Sequence, residues 1–172
     1  RHEAWLTAWR TRLPDCLESA TRRQARKFFV GLDCEDTALH FIRIAALDSA
    51  VCQILAPLLA HEAPLSAVSE IKTTLSHILV DEARHVRISR AYAMAWGASP
   101  EQIRAEWQDI RVRLATLLES VGSDLATLGA NPDKLFARLR QQPQLPQLPQ
   151  PPHPRLASQF LHLPESTAAG CR

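Results

Sequence analysis

No strand-length window of this chain alternates apolar with polar residues, and its β-branched and aromatic residues never gather at a two-residue period. Apolar residues recur instead at i, i+3 and i+4, in stretches punctuated by Pro14, Gly31, Pro57, Pro64, Gly97, Pro100, Gly129 and Pro132. Breakers set about a helix length apart, with no period-two signal between them, leave packed helices as the way to bury the apolar residues. The expected fold class is therefore all-α. The chain has 172 residues, 46% of them hydrophobic, enough for one domain that buries roughly two-thirds of its unfolded surface.

Start and stop signals predict the segments. A first runs over about 2–12 and a second from Asp15 to Val30, closed by Gly31; the pair reads as one helix kinked at Pro14. Asp33 or Asp36 can cap the next, which carries Leu39, Phe41, Ile44, Leu47, Val51 and Leu55 before Pro57. A long helix is expected from Ser66 to Trp96, stopped by Gly97. Ser99-Pro100-Glu101-Gln102 combines an N-cap, an N1 proline and a capping-box glutamine, opening a helix expected to reach about Leu128. Asn131-Pro132 starts a last short helix to about Arg140. After it the composition changes abruptly: 7 of the 12 prolines lie from Pro143 onward, many alternating with glutamine. The expected organisation is a helical bundle over residues 1–140 and a disordered Pro/Gln-rich tail over 141–172.

Composition excludes several classes of function. With 20 Lys+Arg against 18 Asp+Glu, the balance does not suit a dedicated nucleic-acid binder. The most apolar run, about Ile44 to Leu59, is interrupted by Asp48 and Pro57, so no membrane span is expected. Four cysteines without a C-x-x-C pair speak against a zinc ribbon or a disulfide scaffold and fit a reducing, cytoplasmic setting. No Walker loop, Gly-x-Gly-x-x-Gly, Gly-x-Ser-x-Gly or Cys-His pair supports nucleotide-binding or hydrolytic chemistry.

The stretch Ile78-Leu79-Val80-Asp81-Glu82-Ala83-Arg84-His85-Val86 carries the chemistry. On a helix, Ile71, Leu75, Ile78, Leu79, Glu82, His85, Val86 and Ala93 share one face, so Glu82 and His85 interrupt an apolar stripe. Asp48 does the same among Phe41, Ile44, Ala45, Val51, Cys52 and Leu55. A carboxylate withdrawn from water needs a proton, a cation or a partner. Asp48 and Glu82 are 34 residues apart, which lets one helix finish, turn near Pro64 and return antiparallel, bringing both to one level. Bundles that combine single carboxylates with Glu-x-x-His motifs hold di-iron or di-manganese sites.

With Asp48 on the preceding helix, Asp81-Glu82-Ala83-Arg84-His85 resembles the second half-site of ferritin-like di-iron carboxylate proteins. These include ribonucleotide reductase small subunits, acyl-carrier-protein desaturases, multicomponent monooxygenases and N-oxygenases. The likeness covers roughly Thr37 to Gly97. It implies a ferritin-like bundle holding two iron ions, or manganese, with Glu82 bridging, His85 and Asp48 as further ligands, and Asp81 and Arg84 orienting a ligand histidine. It also implies a first half-site, whereas the sequence holds a single Glu-x-x-His. Arg1-His2 resembles Arg84-His85, so His2 is a candidate for the end of an upstream Glu-x-x-His in a longer native chain. A homodimer joining two copies of Asp48, Glu82 and His85 is the other way to complete the set. A haem-oxygenase-like di-iron scaffold matches Asp81-x-x-x-His85 but has Ser89 where its next carboxylate would fall.

The function implied is an oxidoreductase activating dioxygen to oxidise a small organic substrate. Ferroxidase or iron-storage activity uses the same ligands. The alternative from another class is a metal-free helical module serving as a scaffold or binding partner. Smaller expectations complete the reading: an Asp36–His40 pair early in its helix, Trp5, Trp9, Trp96 and Trp107 as packing residues, Tyr92 as a core or rim aromatic, and a solvated basic face at Arg10, Arg12, Arg22, Arg23, Arg26 and Lys27.

Overall fold

The computed structural model describes residues 19–141, all of whose regular structure is helical. The first helical segment, His2, Trp5, Trp9, Arg10, Arg12, Cys16 and the Pro/Gln-rich tail from residue 142 lie outside the described residues. The helices are α1 (Ser19–Val30), α2 (Thr37–Leu58), α3 (Ser69–Ala95), α4 (Pro100–Leu118), α5 (Gly122–Thr127) and α6 (Pro132–Arg140).

Each boundary has a local cause. Asp36, not Asp33, caps α2 by accepting a hydrogen bond from the Leu39 amide at 2.9 Å. This engages one carboxylate oxygen, and His40 forms no ion pair with Asp36: the His40 ring lies against Phe41 instead. Pro57 is accommodated in the last turn of α2. The helix expected from Ser66 begins only at Ser69, because Pro64–Ala67 forms a 3-10 turn in which the Ser66 hydroxyl donates to the carbonyls of Ala63 and His61. The capping box opens α4 as the sequence indicates, with Ser99 Oγ accepting from the Gln102 amide and Gln102 Oε1 from the Ser99 amide. The continuous helix expected to Leu128 is divided by a 3-10 turn at Glu119–Val121 before α5 begins at Gly122. Glycine is a poor residue for holding a helix interior together. Asn131 caps α6 through the Lys134 amide. Gly97 and Gly129 take left-handed φ values of 91° and 96°, while Gly31, expected to close α1 that way, does not.

Pairings across the bundle fix helix direction. Cys52 meets Leu79, Asp48 meets Glu82 and His85, and Phe41 stacks on Tyr92; partner numbers fall as α2 numbers rise, so α2 and α3 are antiparallel. Arg43 pairs with Glu106 and Gln53 with Arg111, so α2 and α4 run the same way. The core lies between them: Ala45, Ala46 and Ala50 of α2 and Ile110 and Ala115 of α4 are fully buried, with Trp107, Phe136 and Leu139 packed around them. Small side chains on α2 let α4 approach closely, leaving Asp48 on the flank that meets α3. By length and composition α2 is apolar enough to cross a membrane, contrary to the expectation that Asp48 and Pro57 would exclude it; here it packs against α3 and α4.

Two of the expected packing tryptophans are described and they divide. Trp107 is buried in the core, with the Arg90 guanidinium 5.8 Å above its ring, whereas Trp96 is 53% exposed at the end of α3. Ser89 and Arg90 are buried on α3, which the periodicity did not indicate.

Candidate metal centre

Donor atoms of Asp48, Glu82 and His85 all lie within 4.8 Å of one another. Asp48 comes from the middle of α2 and the other two from successive turns of α3, so the antiparallel pairing brings them to one level. His85 Nδ1 stands 3.3 Å from Glu82 Oε2. Asp48 Oδ2 is buried with no hydrogen-bond partner among the described residues. Exposure rises across the group: the Glu82 side chain is 16% exposed and that of His85 50%. His85 was expected on the apolar stripe, and by helical phase it is there, two turns from buried Ile78. It is exposed because, among the described residues, nothing covers that face at its level.

The electrostatics follow from two carboxyl groups sharing a confined site. Burial first, and then the neighbouring Glu82 carboxyl, push the Asp48 carboxyl from 3.8 up to about 7, partly offset by His85. Two carboxylates at this spacing cannot both ionise at low cost without a cation. The neighbouring Cys52 thiol is also pushed up, first by burial and then by the Glu82 and Asp48 charges. Its sulfur approaches the Leu79 carbonyl at 3.9 Å, in keeping with a small packing residue.

Comparison with protein-family models, with curated proteins and with solved structures gave no match.

The geometry of Asp48, Glu82 and His85 suits a divalent cation. Oxygen and nitrogen ligands about 2.1 Å from one ion stand roughly 3 to 4.2 Å apart, so a donor set within 4.8 Å needs only small side-chain adjustments to enclose one. The unpartnered Oδ2 is the atom such an ion would satisfy. Asp81, read as an orienting residue, is half-buried one position before Glu82, and Arg84 is exposed. His2, the remaining candidate ligand, is outside the described residues.

Other polar features carry no local sequence signal. Arg43 Nε donates to Glu106 Oε1 at 2.6 Å and its Nη1 to the Leu32 carbonyl at 2.9 Å, tying the loop before α2 to α4. Buried Arg111 donates to Gln53 Oε1 and to the Arg138 carbonyl, and desolvation lowers its pKa. Both pairings join residues far apart in the chain.

Proposed function

We propose that the chain forms the second half-site of a ferritin-like di-iron oxidoreductase, which activates dioxygen to oxidise an organic substrate in the cytoplasm. The observation that carries this reading is the convergence of Asp48, Glu82 and His85 from two antiparallel helices, with Asp48 Oδ2 buried and unpartnered. Asp48 and Glu82 would hold hard cations through oxygen, and His85 would add one ring nitrogen. When bound, iron in such a setting supplies the electrons for dioxygen reduction. Asp48 and Glu82 would fix the cation from within the helix pair, and half-exposed His85 would leave one side of the site open to small molecules. Further ligands for a second ion would come from outside the described residues or from a second copy of the chain.

A metal-free helical module is the second reading. It is favoured by the raised Asp48 pKa: with one proton between Asp48 and Glu82, the group needs no cation near neutral pH. Iron quantification and Mössbauer spectroscopy on protein from iron-supplied cells separate the two. Bound iron that is lost in Glu82→Ala and His85→Ala supports the di-iron reading. Iron at background in the wild type, with the fold intact by circular dichroism, supports the module.

A further inference from the structure

A second site lies at the end of the bundle where α2 and α4 begin and α3 ends. A cleft of about 370 Å³ opens there, lined among others by Asp36, Leu39, Ile42, Trp96, Gln102 and Glu106. That volume falls at the small end of ligand pockets. Asp36 precedes Asp48 by twelve residues on one helix, which puts the cleft roughly 18 Å from the metal group.

We propose that this cleft binds a small organic ammonium ion with an aromatic or alkyl body. The two charged side chains on its wall, Asp36 and Glu106, are both carboxylates. Asp36 uses Oδ1 to cap Leu39, leaving Oδ2 without a hydrogen bond among the described residues. Glu106 takes Arg43 on Oε1, leaving Oε2 likewise. Gln102 spends its Oε1 on the Ser99 amide and keeps its side-chain amide available. Arg43, which bonds to Glu106, is also committed to the carbonyls of Leu32 and Asp33. Exposed Asp33 and Glu35 in the loop before Asp36 add to the negative field. An anion gains little here, because the helix N-termini that border the cleft already carry their own caps, Asp36 and Ser99. An ammonium group would donate to the unused carboxylate oxygens of Asp36 and Glu106. Its apolar body would lie on Leu39 against the half-exposed indole of Trp96, whose ring face also attracts a cation.

The test is isothermal titration of the full chain with phenethylammonium, using 2-phenylethanol as the neutral counterpart. Asp36→Asn is the informative variant, since asparagine caps a helix as well as aspartate and the fold is retained. Trp96→Leu, at an exposed position, is the second. Saturable binding with a dissociation constant of about 1 mM or tighter is expected for a ligand of this size. It should weaken at least about fivefold in each variant and with the alcohol. No saturation by about 10 mM, or binding of the alcohol as tight as that of the ammonium, or wild-type affinity in either variant, overturns the proposal. Metal content is unaffected in either outcome, which keeps this site distinct from the one on α2 and α3.

Discussion

Replacing Asp48 with asparagine should make the metal-free protein more stable at pH 8 and change it little at pH 4. In the fold the Asp48 carboxyl is held protonated up to about 7, whereas its ordinary value is 3.8. Between those values the folded state keeps a proton that the unfolded chain has released. Stability is therefore full below about pH 4, falls as pH rises through the window and levels off above about 7. By linkage the whole displacement is worth up to about 4 kcal/mol. Water reaching the site past half-exposed His85 screens it, so about 2 kcal/mol is the working figure. Asparagine mimics the protonated carboxyl and cannot ionise, so the variant lacks this pH-dependent loss. Urea unfolding of both proteins, freed of metal by chelation, at half-unit steps from pH 4 to 8 gives the difference directly. Titrating groups away from this pair cancel in the subtraction, so the difference reports Asp48 together with Glu82, to which it is coupled. A wild-type-minus-variant difference that stays flat across the window would falsify the account of Asp48 as a carboxyl crowded by Glu82.

Three further predictions concern the scaffold. Gly129→Ala should cost about 1–3 kcal/mol, because φ is 96° there and a Cβ would meet Pro64 Cδ at 2.8 Å; thermal denaturation reads the loss. Gly97→Ala, at φ 91° with nothing within 4 Å of its Cβ, should cost only about 1 kcal/mol by the same measurement, so equal losses at the two sites would refute the steric part of the argument. Arg111→Met should be neutral to stabilising by about 1 kcal/mol in urea unfolding, since it replaces a buried guanidinium that, among the described residues, lacks a carboxylate partner and has an unpartnered Nε. A loss of more than about 2 kcal/mol would show that its bonds to Gln53 and Arg138 outweigh its desolvation.

What was legible in the sequence was local. Caps act over three or four residues, so Ser99-Pro100-Glu101-Gln102 and Asn131-Pro132 marked their helices correctly. Helical phase is local too, and it placed Asp48, Glu82 and His85 on faces that converge. Where a proline can either continue a helix or open a turn, neighbours decide: Ser66 bonding back to Ala63 and His61 moved the start of α3 to Ser69. Exposure was not legible, because it depends on which elements cover a face. Trp96 and Trp107 have the same side chain, yet one ends α3 at the surface and the other sits under Arg90. The same holds for His85, which has the phase of a core residue without the cover of one. The bonds of Arg43 and Arg111 likewise depend on tertiary approach.

Proton and metal compete for the same oxygen atoms at this site, and that competition sets a final expectation. Binding a cation requires Asp48 to release the proton it holds up to about 7. Below that value, affinity for a divalent ion should rise by up to about tenfold per pH unit, and above it the rise should flatten. Manganese(II) is a suitable ion for the measurement, since it avoids oxidation and can be followed by electron paramagnetic resonance at pH 5.5, 6.5, 7.5 and 8.5. Asp48→Asn should bind weakly at every pH, having lost the carboxylate. Glu82→Gln should also bind weakly, for the same reason, but with the pH dependence of Asp48 moved lower, because its repelling neighbour is gone. Affinity that does not change from pH 5.5 to 7.5 in the wild type would mean that the cation enters without displacing a proton. Asp48 and Glu82 would then not be its joint ligands, and the convergence of the two helices would have to be explained by packing alone.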